Sequence, residues 1–419
     1  MDQQLQNEIN QTLQIKKFSA YGFLKNLKFF EPYLVIYLLG NGYSLFQVGL
    51  LYSVREIITY IFEIPSGIIA DYYGRKKELY MCFSFYIVSF ILFFMGHTFV
   101  VIVVAMMFFG LGEAFRSGTH KAMIYTYLEE QGWEKHKAYV YGRTRSFSLI
   151  GSAISSVLAI VLILNIPSSR HIFLASIVPY ILDLLLIMSY PSSLDFSGKK
   201  LGKTLSGVVI GNHLKDIYSR PMLRRILLNS SLFESIFKSV KDMIQPILEV
   251  VIITSGVLIV QDMTPDENLK IILGFSYGCI YIFSAMASKR AYLLKKISDS
   301  GTLLNGIYIA LAVSMAMLYF IIEQQQTVMI VAMFLLLYIL RDIRKPIFVD
   351  ACDDYMDKHQ RATVLSIESQ MKALFTVILA PIVGLVADTV GIAYVMIGLS
   401  VVMLILFAGV KVINSPQNK

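Results

Sequence analysis

Ionisable side chains recur inside stretches of this chain that are otherwise apolar, at spacings that could serve chemistry. Lys25, Lys28 and Glu31 follow one another at i, i+3, i+6. Glu113 and Arg116 lie three apart, Glu234, Lys238 and Lys241 run at i, i+4, i+7, and Arg341 stands next to Asp342. On helices, residues three and four apart share a face, so each set forms one stripe. A charged side chain at the centre of a membrane helix costs about 2.5–3.5 kcal/mol on insertion scales, so such stripes must face each other or water. A carboxylate beside a cation in a hydrated cavity loses its proton when water enters and regains it when occluded, which couples movement of a solute to a proton gradient. For any one of these residues the alternative role is a structural ion pair or an interfacial charge. Lys121, Arg344 and Lys345 lie close to expected inner helix ends and fit snorkelling. Glu31, Glu113, Arg116, Glu234, Lys238 and Asp342 lie deeper.

The elements that position them are set by composition. The 419 residues are 56% hydrophobic and 16% charged, with a mean hydropathy of +0.63, which excludes an ordinary soluble protein. At about 20 apolar residues per crossing, the chain accommodates twelve spans. They fall at about 19–40, 46–70, 79–97, 99–127, 143–165, 171–190, 223–252, 270–288, 301–321, 326–350, 362–387 and 391–411. The first eighteen residues are polar and lack the apolar core and small-residue cleavage site of a signal peptide. With that end inside, Lys16, Lys17, Arg75, Lys76, Lys77, Lys135, Lys137, Arg143 and the cations of the 191–225 stretch all fall inside. So do Lys289, Arg290, Lys295, Lys296, Lys358, Arg361, Lys411 and Lys419, whereas the outer loops hold only Arg170 and Lys270. This asymmetry places both termini in the cytoplasm and accounts for the net charge of +8 without nucleic acid. One helix more or fewer would reverse every later loop and destroy it.

The expected fold class is therefore an all-α membrane protein of twelve transmembrane helices in two six-helix bundles, residues 1–190 and 223–419, joined by a cytoplasmic linker at 191–222. Leu205, Val208, Val209 and Ile217 predict a short amphipathic helix within that linker. Gly198-Lys-Lys-Leu-Gly-Lys-Thr204 is one residue short of a phosphate-binding loop and lacks a preceding strand, so it reads as a basic connector. The charged stripes sit on spans 1, 4, 7 and 10, the first helices of four three-helix units.

Where span 2 ends, the chain reads Gly67-Ile-Ile-Ala-Asp71-Tyr-Tyr-Gly74-Arg75-Lys76-Lys77. This resembles, at every position, the G-x-x-x-D-x-x-G-R-[RK] signature between helices 2 and 3 of the major facilitator superfamily, in its bacterial, twelve-helix form. Arg361-Ala-Thr-Val-Leu-Ser366, opening span 11, resembles what several bacterial members carry there. The resemblance implies two pseudo-symmetric six-helix halves, a central cavity lined by helices 1, 4, 7 and 10, and transport by alternating access. In physical terms, Gly67 and Gly74 would let backbones approach closely. Asp71 would sit near the start of span 11, around Ala362, where a carboxylate gains about 0.3–1 kcal/mol from the helix dipole. The resemblance implies that this contact closes with the inner gate, so Asp71 and Arg75, with Lys76, form the expected latch. Gly384-Leu-Val-Ala-Asp388-Thr-Val-Gly391 repeats the spacing without the cations, on the outer side, as repeats of inverted topology would.

Other chemistry is disfavoured. Cys82, Cys279 and Cys352 are too scattered for a disulfide framework or a metal cluster. The six histidines include no pair at metal-ligand spacing, and no G-x-S-x-G or related hydrolase arrangement occurs. No cofactor, metal or enzymatic activity is expected, although a membrane-embedded lipid enzyme or a receptor on a transporter fold is the alternative class. Gly110, Gly112 and Gly118 would permit tight packing of span 4. Proton-coupled drug exporters of the resembled family carry an arginine near the position of Met106 and Gly-Pro in helix 5, where this chain has Gly151-Ser-Ala-Ile-Ser155. Tyr60, Phe62, Phe115 and Tyr277 are candidate walls for an amphipathic cargo. The expectation is a monomeric plasma-membrane transporter, with a small molecule, protons and membrane lipids as partners. Proton-coupled export of an amphipathic or drug-like compound leads, and uptake of a small anion, drawn by Lys25, Lys28, Arg116, Lys238 and Arg341, is the alternative.

Overall fold

The structure, a computed structural model, describes residues 3–195, 220–256, 260–353, 355–356 and 361–413. Among these every regular element is helical. The first part comprises α1 (Gln3–Gln11), α2 (Leu13–Leu24), a 3₁₀ turn at Glu31–Tyr33, α3 (Leu34–Gly40), α4 (Leu45–Tyr73), α5 (Arg75–Met95), α6 (Phe99–Arg116), α7 (Thr119–Glu130), α8 (Lys137–Asn165) and α9 (His171–Met188). The second comprises α10 (Pro221–Val240), α11 (Ile244–Ser255), α12 (Pro265–Arg290), α13 (Ser300–Glu323), α14 (Thr327–Asp353), α15 (Arg361–Thr389) and α16 (Ile392–Val410). The expected amphipathic helix near 205–217 and the glycine-lysine segment at 198–204 lie outside the described residues.

Nine stretches among the described residues are long and apolar enough to cross a membrane. The remaining expected spans are 1, 7 and 10. Span 1 is divided between α2 and α3, span 7 between α10 and α11, and span 10 is α14, whose second half carries Arg341, Asp342, Arg344 and Lys345. The spans that fall short are thus three of the four bearing charged stripes; span 4, despite Glu113 and Arg116, is among the nine. Exposed Val100, Val328 and Ile405, each 69% or more accessible, show the opposite character. The polar N-terminus is helical in α1 and the start of α2. Its Ile9 is buried, and Asn10 accepts hydrogen bonds from Tyr139 and Arg143 on α8.

The chain packs as two units, residues 1–37 with 54–202 and residues 38–53 with 203–419. In the first, α2 packs on α8, and α5 packs on both α6 and α9. In the second, α10 packs on α15, and α13 packs on both α14 and α16. In span order both units obey one rule: the first helix meets the fifth, and the third meets the fourth and sixth. This is the two-bundle, twelve-helix architecture with internal pseudo-symmetry. Absent side chains make the closest crossings: a Cβ on Gly151 of α8 would fall 2.5 Å from the Phe23 carbonyl oxygen of α2, so small residues set that interface. One segment departs from the division at the linker. Residues 38–53, the first turns of α4 included, pack with the second unit, and α4 passes from one unit to the other at Ser53.

Candidate transport site

In the first unit, span 1 opens between Lys25 and Phe30, and this corrects the expectation of a continuous helical stripe for Lys25, Lys28 and Glu31. Pro32 supplies the reason, since it has no N–H to extend the ladder and disfavours helical backbone at the residue before it. Asn26 turns its amide back to the Gly22 carbonyl at 2.7 Å, competing for that ladder. Lys28 leaves the break towards span 4, where its Nζ lies 3.7 Å from Glu113 Oε1. Arg116 Nη2 donates to Glu113 Oε2 at 2.5 Å, and Tyr86 Oη of α5 donates to Oε1 at 2.7 Å. Arg116 Nε in turn donates to Tyr86 Oη at 3.2 Å. Gly112 lets α6 reach Tyr86, since a Cβ there would stand 2.8 Å from the ring. Span 4 itself ends α6 at Arg116 and restarts after Gly118, whose φ of 79° needs a glycine. Lys28, Glu113 and Arg116 keep 23–30% of their side chains accessible. They are neither lipid-facing nor sealed, as a hydrated wall requires. Lys25 is half-buried over the Tyr21 ring at 5.2 Å, and Glu31 is half-buried at the start of the 3₁₀ turn.

The second unit repeats the design with the signs redistributed. Arg341 of α14 donates to Glu234 of α10 at 3.4 Å and to Asp342 at 3.1 Å, and Lys345 reaches Asp342 at 3.3 Å. The Arg341 guanidinium lies 5.4 Å from the Phe237 ring, which is packed edge-on by Tyr338. Lys238 is half-buried on the same helix. The predicted stripe ends earlier than expected, because α10 stops at Val240 and Lys241 belongs to the turn that divides span 7. In that turn Lys241 Nζ binds both oxygens of buried Asp242 at 2.7 Å, with Tyr277 and Tyr52 each donating at 3.1 Å. Tyr277 is therefore a buried hydrogen-bonding strut, and Phe115 is buried against Phe85; neither is a cargo wall. Tyr60 is 48% exposed and Phe62 is half-buried.

Arg344 corrects another expectation. It is 1% exposed, bonded to the Leu304 carbonyl at 2.8 Å and to Asn229, with Phe233 under its guanidinium at 4.4 Å. Snorkelling would leave its head in water. Here one side chain joins α14, α13 and α10 instead, its planar fork reaching two acceptors while stacking on Phe233, a geometry that a compact ammonium does not reproduce.

The span 2–3 signature forms a compact turn. Asp71 is exposed, Arg75 donates to Thr126 at 2.8 Å, and Lys76 donates to the Tyr190 carbonyl at 2.8 Å. Asp195, which follows span 6, caps the start of α5: its Oδ1 accepts from the Lys76 N–H at 2.8 Å and its carbonyl from the Arg75 N–H at 2.9 Å. Gly74 has a φ of 102° and abuts that carboxylate, so both its backbone and its missing Cβ are used. Gly67 departs from expectation, with no described atom within 4 Å of where its Cβ would be. It lies on an exposed face of α4.

Sequence spacing thus named Lys28, Glu113, Arg116, Glu234, Arg341 and Asp342 as residues of charged stripes, but not which of them meet across helices. It missed Tyr86, a tyrosine like others in apolar helices, and Asp195, which had no motif around it. It assigned no chemistry to His120, now found stacked on Tyr21 with ring centroids 3.6 Å apart.

Paired helical units with broken, charge-bearing first helices define a membrane transporter fold. The family model described as Major Facilitator Superfamily matches residues 20–372, and the chain belongs to that superfamily. A relative in Bacillus subtilis (strain 168), the uncharacterized MFS-type transporter YxaM, is 30% identical over 129 residues, covering 31% of this chain and 32% of that protein. The match thus spans about a third of the relative's length. Among solved structures, a mutant of the nucleoside transporter NupG superposes with a TM-score of 0.75 at 12% identity, over 95% of this chain and 99% of that one. A D-xylose-proton symporter gives 0.68 at 13% identity, over 94% and 95%. At such identities the likeness is one of fold.

Proposed function

We propose that this integral membrane protein is a proton-coupled secondary transporter of the plasma membrane, exporting an amphipathic or drug-like solute by alternating access. The observation that carries the reading is Glu113 held at once by Lys28, Arg116 and Tyr86 while part of its side chain stays accessible. An acid with three removable partners can exchange a proton for an ion pair, and the exchange moves side chains on spans 1, 3 and 4. Glu234, Arg341 and Asp342 are the corresponding set in the second unit, with Lys25, Glu31 and Lys238 beside the two clusters. Aromatic rings behind the charges, Phe109 at 5.8 Å from Lys28 and Phe237 beneath Arg341, favour a solute with an apolar body and a polar end. On this reading Asp71 and Arg75 latch the cation-rich end, and the transporter works as a monomer.

The test is flux in proteoliposomes under an imposed pH gradient, with ethidium as an amphipathic cation and benzoate as a small anion. Ethidium movement that stops when the gradient is collapsed supports the proposal. Benzoate movement alone would favour anion uptake, for which the cations of spans 1, 4 and 10 speak. Hydrolysis of lipid without flux would favour an enzyme.

A further inference from the structure

Asp183 is the anomaly of the first unit. It lies in α9, is fully buried, and neither carboxylate oxygen has a hydrogen-bond partner among the described residues. Buried polar groups are nearly always paired, and exceptions ask for an explanation. A bare carboxylate sealed from water inside a membrane is tolerated only if a proton neutralises it or a cation closes on it.

Both remedies are within reach. Among the described residues, the one cation whose field acts on Asp183 is Lys25, which makes no ion pair with it at the 4.0 Å limit. Lys25 caps the C-terminal end of α2, its N–H still bonded to the Tyr21 carbonyl at 3.2 Å, and the break in span 1 begins just beyond it, so its long side chain stands at the edge of non-helical backbone. The other ionisable groups around the pair are Tyr21 on α2, Cys82 on α5, Tyr180 on α9, whose hydroxyl donates to the Lys25 carbonyl at 3.4 Å, and Tyr190 beyond α9, while the charges of Arg116, Lys28 and Glu113 also act on Lys25. On α8, which also packs on α9, the ionisable residues are confined to its first turns, from Lys137 to Arg145. His120 completes the surroundings: its ring stacks on Tyr21 at 3.6 Å, its Nε2 is 3.1 Å from Tyr190 Oη, and it feels the Lys25 charge. Among the described residues no second carboxylate shares the pocket with Asp183 at hydrogen-bond range. The acid is thus poised between two neutralising states and committed to neither by any hydrogen bond.

We propose that Asp183 is a proton-binding site of the first unit, with Lys25 as its alternate counter-charge. The proton leaves Asp183 when the Lys25 side chain, at the edge of the break, brings its ammonium to contact, and returns when the ammonium withdraws. Asp183 shares no hydrogen bond with the Glu113 cluster, although the charges of that cluster act on Lys25. This site depends on the proton-coupled reading only for what the proton drives.

Infrared titration of the full-length protein in lipid nanodiscs tests it, with the proton itself as probe. The expected result is a protonated-carboxyl band whose amplitude follows pH in wild type, is absent in Asp183→Asn, and titrates at a displaced pH in Lys25→Met. Glu113→Gln should leave that band in place. A band unchanged in Asp183→Asn, or one whose titration ignores Lys25→Met, overturns the assignment. Asn has nearly the shape of Asp, and Lys25→Met leaves the acid intact, so the second variant decides if the first folds poorly. Flux stands apart from these outcomes: a wild type without pH-driven flux that still shows the band and its displacement would discard proton-coupled transport and keep the proton site.

Discussion

Asp388, at the end of α15, caps the start of α4 at Leu45: the Leu45 N–H donates to Oδ1 at 3.0 Å, and the Phe46 N–H donates to Oδ2 at 2.8 Å. The two helices meet without intervening side chains. A Cβ on Gly384 would strike the Leu45 carbonyl, and one on Gly49 would strike that of Ala380. Further along, Ser53 donates to the Val377 carbonyl at 2.8 Å, and Tyr52 to Asp242 at 3.1 Å. A carboxylate on two free N–H groups at a helix start satisfies unpaired donors and meets the positive end of the dipole. The G-x-x-x-D-x-x-G spacing of 384–391 therefore does for α4 what the matching spacing at 67–74 was expected to do for span 11.

Removing this cap should loosen the end opposite the cation-rich one. Asp388→Ala is expected to cost the packed arrangement about 1–2 kcal/mol, a factor of roughly 5–30 between two states. Gly384→Leu should do the same by collision. In a background lacking Cys82, Cys279 and Cys352, a single cysteine at position 47 should react faster with a membrane-impermeant maleimide in both variants. Unchanged labelling would mean that the contact does not hold this end.

The turn at Gly74 depends on Asp195. Gly74→Ala forces a β-carbon against that carboxylate and holds alanine at φ 102° and ψ 146°, costing about 1–3 kcal/mol for the backbone alone. Pairing it with Asp195→Ala removes the collision but not the backbone cost. A double-mutant cycle on thermal unfolding should therefore give a coupling of about 0.5–3 kcal/mol, and strict additivity would argue against the contact.

Arg344 is expected to be structural. Arg344→Met leaves the Leu304 carbonyl and the Asn229 oxygen without their donor, at about 1–3 kcal/mol for each buried group left unpaired. Folded yield and melting temperature should fall, while flux per folded molecule stays near wild type. A stable variant that has lost transport would move Arg344 into the transport machinery.

Glu113 should behave in the opposite way. Glu113→Gln is expected to lower pH-driven flux more than tenfold with little change in melting temperature, because its partly accessible ion pairs contribute about 1 kcal/mol or less to stability. Tyr86→Phe removes two hydrogen bonds, one donated to Glu113 and one accepted from Arg116, each worth about 0.5–1.5 kcal/mol, so a loss of about fivefold or more is expected. Equal stability losses in both variants, with flux intact, would make the cluster a packing feature.

Much of the fold was legible because hydropathy and loop charge are summed over many residues. Twelve spans could be placed to within a few residues, although α2 begins earlier than predicted, at Leu13. Charge inside apolar sequence marked Lys28, Glu113, Glu234 and Arg341 as residues that must face each other or water, but which of them pair was not legible, because partners lie on different helices. The break at Lys25–Phe30 was not legible either, since Asn26 and Pro32 act together and neither alone ends a helix in the membrane. Arg344 was misplaced because distance from a helix end, counted in residues, says nothing about which neighbours enclose a side chain. Asp195 was invisible for a similar reason: it and Lys76 are separated by 119 positions.

That α4 gives its first turns to one packing unit and the rest to the other makes it shared property. A polypeptide beginning at the linker would expose the bare backbone groove around Gly384 and Ala380, with no cap for Asp388 to form. Split between residues 195 and 220 and expressed as two pieces, the protein should reassemble through this donated tongue, and the later piece made alone should be cleared by the cell.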